Sequence, residues 1–188
     1  TLKDSTTATD HAYLRRKGIK ANGAKVNAGS LVLPMRDTGG TLHSLQFIDS
    51  DGGKRFLPGG RVAGCYFAIG RPNGSLCIAE GFATAASIHE ATEQAVAVAF
   101  NAGNLQPVAN ALRAKYPDLD LILCADDDAA TAGNPGITKA KAAACAVGGL
   151  LAVPDFGDNR PEGASDFNDL VKFRGLDAVR GCIASARH

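Results

Sequence analysis

The 188-residue chain is 45% hydrophobic and 21% charged, with a formal net charge of +1. This composition favours a folded core over disorder, and no apolar run reaches the roughly 20 residues that a membrane-spanning helix needs. The N-terminus has no charged segment followed by an apolar one, so we expect no secretory signal and a cytoplasmic protein.

The first 71 residues are predicted to form a small basic α+β subdomain. Residues 9–17 are predicted to form a short helix that Gly18 ends, with Asp10 as its cap. Short strands separated by glycine-rich turns are expected at residues 30–36, 41–48 and 54–60. This part holds eleven Lys and Arg against five Asp and Glu, which favours a surface that binds a polyanion.

From residue 72 to residue 188, apolar strands alternate with helices. The strands are predicted at residues 76–80, 95–100, 119–126 and 149–154. The helices are predicted at residues 82–93, 107–115, 138–147, from 165 onwards and at 177–186. This alternation predicts an α/β domain, with a mainly parallel sheet that helices cover on both faces. Nine Lys and Arg stand against fourteen Asp and Glu here, which favours a cation site.

Two of these predicted strands end in acidic residues. Glu80 ends the strand in "CIAEGF", and Asp126 ends the strand in "LILCADDDAA". Ligands of parallel sheets bind beyond the carboxyl ends of the strands, so we expect these acids to lie close together. If the chain stays extended, Asp128 points the same way as Asp126, and Asp127 points away. The sequence therefore predicts that Glu80, Asp126 and Asp128 bind Mg²⁺ or Mn²⁺.

A further acidic pair, Asp166 and Asp169, lies in "DFNDL", one helical turn apart. Two interpretations stay open for this pair. Ser165 or Asp166 can cap the N-terminus of a helix, or the two acids can complete the predicted metal site.

The order of these acids resembles the TOPRIM fold, which bacterial primases share with type IA and II topoisomerases and small nucleases. The glutamate and the two D-x-D aspartates of that family fall on Glu80, Asp126 and Asp128, which implies that these residues are catalytic. Upstream, "LVLPMRDTGG" and "GKRFLPGGR" are similar to the basic segment that precedes TOPRIM in bacterial primases. "EGFATAASIHEAT", "VAFNAGNL" and "DFNDL" look like the corresponding segments of plasmid conjugation and phage primases.

The resemblance implies a DNA primase that joins ribonucleoside triphosphates on a single-stranded DNA template in plasmid or phage replication. A replicative helicase, or a helicase domain of the same full-length protein, is a further expected partner, and no membrane is expected. The residues expected to contact nucleic acid or nucleotide are basic; they are Arg36, Lys54, Arg55, Arg61 and Lys139.

This chain departs from the primase pattern in two respects. Some bacterial primases carry a further acid where this chain has Thr84, so any metal contact from that acid is absent or comes from Asp166 or Asp169. The zinc-binding module that precedes many primase cores is missing, and the chain begins with Thr1, so we expect a fragment of a longer protein.

Other functions stay open on the sequence alone. A TOPRIM nuclease would use the same acids to cleave a phosphodiester, and a non-catalytic module would keep them for structure. A topoisomerase needs a nucleophilic tyrosine, which the sequence does not place in a recognisable site. A receiver domain of a signalling protein needs a lysine at a late strand end, where "GLLAVP" offers none.

Overall fold

The computed structural model describes residues 2–3, 5–8 and 10–188, and its strands form two five-stranded sheets. The first sheet is antiparallel and has the order β1-β2-β3-β4-β5. Its strands are β1 Thr6–Thr7, β2 Lys25–Asn27, β3 Ser30–Arg36, β4 Leu42–Ile48 and β5 Lys54–Phe56. The predicted strands at 30–36, 41–48 and 54–60 correspond to β3, β4 and β5, whereas β2 has only three residues and no alternating pattern to reveal it.

Helix α1, Ala12–Lys17, lies between the first two strands. Its predicted start at Thr9 lies outside the described residues, and the predicted cap, Asp10, is wrong. His11 caps the helix instead, because its Nδ1 accepts a hydrogen bond from the backbone N–H of Tyr13 at 3.2 Å. Asp10 is exposed and forms an ion pair with Arg15.

The second sheet has the order β10-β9-β7-β8-β6. Its strands are β6 Phe67–Ile69, β7 Ser75–Ala79, β8 Val96–Val98, β9 Asp120–Cys124 and β10 Leu150–Ala152. All neighbouring strands are parallel except the edge strand β6, which runs antiparallel to β8. The predicted mainly parallel sheet is therefore confirmed, and the unpredicted β6 joins it from the sequence before residue 72.

Helices cover both faces of this second sheet, as predicted. They are α2 Phe82–Thr92, α3 Leu105–Lys115, α4 Pro135–Val147, α5 Phe167–Arg174 and α6 Leu176–Ala184. Alternate residues of β7 separate the two faces, because successive side chains of a strand point to opposite sides. Cys77 belongs to the cluster that contains residues of α2, α5 and α6, whereas Ile78 belongs to the cluster that contains residues of α3 and α4.

The main hydrophobic core joins the two sheets. Leu31, Leu33 and Met35 of β3 are fully buried in the same cluster as Phe67 of the second sheet and Phe82 of α2. The first sheet is therefore packed against the second, which allows residues from both to line one site. No helix among the described residues has both the length and the apolar character to cross a membrane.

Candidate active site

A cavity of about 350 Å³ lies where β7 and β9 end, and we call it the acidic cavity. Its lining comes from both parts of the chain and consists of Tyr13, Arg16, Lys17, Asp51, Gly52, Lys54, Glu80, Gly81, Ala83, Thr84, Phe100, Asp126 and Asp166. A larger cavity of about 970 Å³ lies beside β10 and α6, but none of the predicted site residues lines it.

The register of the second sheet brings Glu80 and Asp126 to the same edge. Ala79 of β7 pairs with Cys124 of β9. Glu80 follows this pair by one residue and Asp126 by two, so both acids leave the sheet at the same edge. The backbone N–H of Ala102 donates a hydrogen bond to Glu80. Burial and the charge of Asp128 nevertheless raise the pKa of Glu80, against the opposing charge of Lys54.

Asp126 carries the most perturbed carboxyl group of the cavity. Burial raises its pKa to about 8, together with the negative charges of Asp166, Glu80 and Asp128. Its Oδ1 is buried and has no hydrogen-bond partner within the described part of the chain. An unpartnered buried carboxylate oxygen is costly unless a proton or a cation neutralises it.

Asp127 and Asp128 differ in their surroundings. Asp127 accepts hydrogen bonds from Arg160 at 2.5 Å and from the Asn134 amide at 2.6 Å. Asp128 accepts the backbone N–H of Gly136 at 3.0 Å, and its charge raises the pKa of the acids in the cavity. Asp127 is therefore neutralised by Arg160, whereas Asp128 adds negative charge to the cavity without lining it.

Asp166 lines the acidic cavity and also caps α5. Its Oδ1 accepts the backbone N–H of Asp169 at 2.8 Å, and its Oδ2 accepts the hydroxyl of Thr84 at 3.2 Å. Asp169 accepts the backbone N–H of Ser165 at 3.2 Å and does not line the cavity. Asp166 therefore caps the helix, as one interpretation of "DFNDL" predicts, and it also lines the acidic cavity. The contacts of Asp169 belong to the start of the helix.

Three cations face these acids, and only one of them was predicted as a site residue. Lys54 of β5 lines the cavity, and its charge lowers the pKa of both Glu80 and Asp126. Arg16 and Lys17 at the C-terminal end of α1 also line it. The basic end of the helix in "RRK" is the only sequence signal for them, because their nearness to the acids arises from packing between the two sheets.

Arg36 and Arg61 lie near a turn that Asp37 organises. Asp37 accepts hydrogen bonds from the N–H groups of Gly39 and Thr41, from His43 at 2.6 Å and from Arg61 at 3.1 Å. The hydrogen bond from His43 is the largest of the effects that lower the pKa of Asp37. Arg36 donates to the carbonyl of Gly40 at 2.8 Å and is exposed. Both arginines therefore stand on an ordered, accessible turn outside the acidic cavity.

The structure separates the remaining two basic candidates from the acids. The guanidinium of Arg55 lies 4.3 Å from the centre of the Phe47 ring, and Phe47 belongs to a small cluster distinct from the main core. Lys139 is exposed on α4. Neither residue lines the acidic cavity.

The acids of the cavity suit a hard divalent cation. Within residues 2–3, 5–8 and 10–188, no group of three or more His, Cys, Asp or Glu side chains is placed so that it could hold a metal ion. Magnesium commonly binds through one or two carboxylates and keeps waters and substrate phosphates as its other ligands. The unpartnered Oδ1 of Asp126 and the mutual repulsion of the acids therefore fit a cation that arrives with a phosphate ligand.

Comparison with protein families and sequences identifies relatives of this chain. A family model described as Toprim domain matches residues 75–177. Two curated relatives from Escherichia coli, both named DNA primase TraC, are 42% identical over 161 residues and 40% identical over 156 residues. Each match covers 77% of this chain. The chain spans only 15% and 11% of the lengths of these relatives.

Solved structures share the fold at low sequence identity. The primase fragment of the bacteriophage T7 primase-helicase protein has a TM-score of 0.68 at 16% identity, covering 96% of this chain and 75% of that one. The DnaG primase catalytic domain bound to single-stranded DNA has a TM-score of 0.57 at 15% identity, covering 93% of this chain and 58% of that one. The arrangement of two sheets and their helices is therefore that of primase catalytic cores.

Proposed function

The chain belongs to the Toprim-domain family, and we propose that it is the catalytic core of a DNA primase. In this proposal it joins ribonucleoside triphosphates into a primer on a single-stranded DNA template, in plasmid or phage replication. The observation that carries the proposal is the meeting of Glu80, Asp126 and Asp166 with Lys54 in one cavity. The relatives named DNA primase favour nucleotide joining over phosphodiester cleavage as its reaction.

Family membership supports a divalent metal cofactor in general, and we propose that the ion is Mg²⁺ or Mn²⁺. Glu80 and Asp126 would hold it, and Asp128 and Asp166 would add negative charge nearby. The charge of Asp128 raises the pKa of Glu80, and the charges of Asp166, Glu80 and Asp128 raise the pKa of Asp126. Such an ion, when bound, lowers the pKa of a hydroxyl nucleophile and neutralises phosphate charge. Asp169, which the sequence also suggested as a ligand, has a supporting role through the N-terminus of α5.

The cations of the cavity complement this role. Lys54, Arg16 and Lys17 line the same space as the acids, so they can bind the triphosphate oxygens that a carboxylate site would otherwise repel. We place the template along the exposed turn that carries Arg36 and Arg61, because phosphate contacts need accessible cations. The T7 neighbour is part of a primase-helicase protein, which supports a helicase as a further partner.

Incorporation of labelled ribonucleotides on single-stranded DNA, with Mg²⁺ or Mn²⁺, tests the proposal. We expect Glu80→Ala and Asp126→Ala to abolish incorporation. We also expect both variants to stay folded in the absence of metal. Asp127→Asn is the matched control: it changes the neighbouring acid, which pairs with Arg160 outside the cavity, and should keep incorporation. Full primer synthesis by Glu80→Ala or Asp126→Ala would contradict the site assignment.

Incubation with labelled DNA and calorimetry separate the proposed primase from a nuclease and from a non-catalytic module. If labelled DNA is cleaved with Mg²⁺ and no nucleotide is incorporated, the acids serve phosphodiester cleavage. If calorimetry detects no binding of Mg²⁺ or Mn²⁺, with or without a triphosphate, the acids have a structural role only.

A further inference from the structure

Asn168 on α5 is a buried polar residue that lies outside the acidic cavity. Its side chain is 1% exposed, and its amide nitrogen donates two hydrogen bonds. One goes to the backbone carbonyl of Lys17 at 2.8 Å, and the other goes to the hydroxyl of Ser87 at 2.9 Å. Only the amide nitrogen can donate to a carbonyl, so the contact with Lys17 fixes the orientation of the side chain.

The carbonyl of Lys17 is one of the groups that the end of a helix leaves without an intrahelical partner. Gly18 ends α1 in a left-handed conformation, and its N–H bonds to the carbonyls of Leu14 and Arg15. The last carbonyl of the helix, on Lys17, instead receives the Asn168 amide across 151 positions of sequence. Asn168 therefore ties the C-terminal end of α1 to the second part of the chain.

Arg16, one residue earlier, continues this chain of contacts. Its guanidinium donates a hydrogen bond to the carbonyl of Ser50 at 2.7 Å, in the turn between β4 and β5. The turn packs so closely that a Cβ added to Gly52 would lie 2.8 Å from the Arg16 guanidinium. This turn leads directly into Lys54 at the start of β5. The position of α1 thus affects where the side chains of all three cations of the acidic cavity lie.

We propose that Asn168 is a positioning residue, which holds the end of α1 so that Arg16, Lys17 and Lys54 face the acids. The inference rests on the proposed function, in which these cations bind the triphosphate. Ser87 provides a matched comparison, because Ser87→Ala removes the other hydrogen bond of the same amide and leaves the bond to Lys17 in place.

Steady-state incorporation kinetics and hydrogen exchange test this role. For Asn168→Ala we expect the KM for the ribonucleoside triphosphate to rise about tenfold with kcat within twofold, since lost binding contacts act on KM. For Ser87→Ala we expect both constants to stay within twofold, although it also loses a buried hydrogen bond. An unchanged KM in Asn168→Ala, or an equal rise in Ser87→Ala, would overturn the proposal.

Hydrogen exchange of the amides of residues 12–19 gives a result that does not depend on activity. We expect exchange in α1 to be at least tenfold faster in Asn168→Ala than in Ser87→Ala. If the unmodified protein incorporates no ribonucleotide, the proposed function fails. If α1 exchanges equally fast in Asn168→Ala and Ser87→Ala, the positioning role is overturned, whatever the activity. Should Asn168→Ala not fold, Asn168→Ser, which keeps a shorter donor, is expected to give the same ranking against Ser87→Ala.

Discussion

The hydroxyl of Thr84 on α2 donates a hydrogen bond to Oδ2 of Asp166, 3.2 Å away at the N-terminus of α5. Apart from burial, the charge of Asp166 is the largest of the effects that raise the pKa of Asp126. By the resemblance to bacterial primases noted in the sequence, Thr84 falls where some of them are expected to carry a further acid. In this chain, a hydroxyl at that position orients an acid supplied by another helix.

The contact between Thr84 and Asp166 predicts the effect of Thr84→Val. Valine has nearly the same shape but cannot donate a hydrogen bond, so Asp166 loses a partner and its orientation. We expect the affinity for Mn²⁺ in the presence of a triphosphate to fall about fivefold, which corresponds to about 1 kcal/mol. Isothermal titration calorimetry measures this affinity.

Thr92→Val is the control for this experiment. Thr92 lies in the same helix, and its hydroxyl donates to the carbonyl of Ile88 at 2.7 Å, remote from the acids. It should leave the Mn²⁺ affinity within twofold. An unchanged affinity in Thr84→Val would mean that Asp166 does not contribute to metal binding.

The raised pKa of Asp126 predicts a pH-dependent stability of the metal-free protein. Its pKa rises from 3.8 to about 8 on folding, so the folded chain holds this proton more tightly than the unfolded chain. The resulting stabilisation is complete below about pH 4 and is lost progressively as the pH rises to about 8. In Asp126→Asn the group cannot ionise. Between pH 5 and pH 8, the unfolding free energy of the parent should therefore fall relative to this variant, by on the order of 3 kcal/mol.

Urea unfolding in the presence of a chelator measures this difference. Glu80 also has a raised pKa, so Asp126→Asn should retain part of the pH dependence. Asp127→Asn, which breaks the pair with Arg160, should lower stability and keep the slope of the parent. Parallel pH profiles for the parent and Asp126→Asn would contradict the assigned pKa.

Much of the fold follows from local patterns in the sequence. The apolar runs of β7 and β9 and the acids that end them are sufficient to predict a parallel sheet with Glu80 and Asp126 at one edge. Edge strand β6 was missed because its three residues acquire their role only by pairing with β8. The preference for Asp128 over Asp127 as a metal ligand stays a prediction: Asp127 pairs with Arg160, but Asp128 does not line the acidic cavity.

The cations of the site were harder to predict than its acids. Lys54, Arg16 and Lys17 come from the first part of the chain, and their approach to the acids depends on how the two sheets pack. A basic sequence signals affinity for a polyanion, but it does not distinguish a cation in the cavity from one on the outer face. Lys54 and Arg55 illustrate this, since they are adjacent and carry the same charge.

The alternation of β5 predicts different roles for Lys54 and Arg55. Lys54 pairs with Ile48 of the main core and lines the acidic cavity, whereas Arg55 pairs with Phe47 and lies against its ring. We expect Lys54→Ala to lower the kcat/KM of ribonucleotide incorporation about 100-fold, since it removes a charge that binds the triphosphate. We expect Arg55→Ala to change it less than threefold. Equal losses would mean that both residues contact nucleic acid, as the sequence alone suggested.

The exposed turn around Asp37 predicts how template binding depends on salt. Arg36 is exposed and donates one hydrogen bond, to the Gly40 carbonyl. Within the described residues its other guanidinium donors have no partner, so they can bind a phosphate. Each phosphate contact releases counterions, so its loss reduces the salt dependence of binding as well as the affinity. For Arg36→Ala we expect weaker binding of single-stranded DNA and a decrease of about one in the slope of log K against log salt.

Fluorescence anisotropy of a labelled oligonucleotide at several salt concentrations measures both quantities. Arg15→Ala is the control, because Arg15 is also exposed but forms an ion pair with Asp10 on α1. It should leave the slope unchanged. If the slopes of both variants match that of the parent, Arg36 makes no phosphate contact. The template would then have to run along other cations, and Arg61, which Asp37 holds at 3.1 Å, would be the next arginine of this turn to replace.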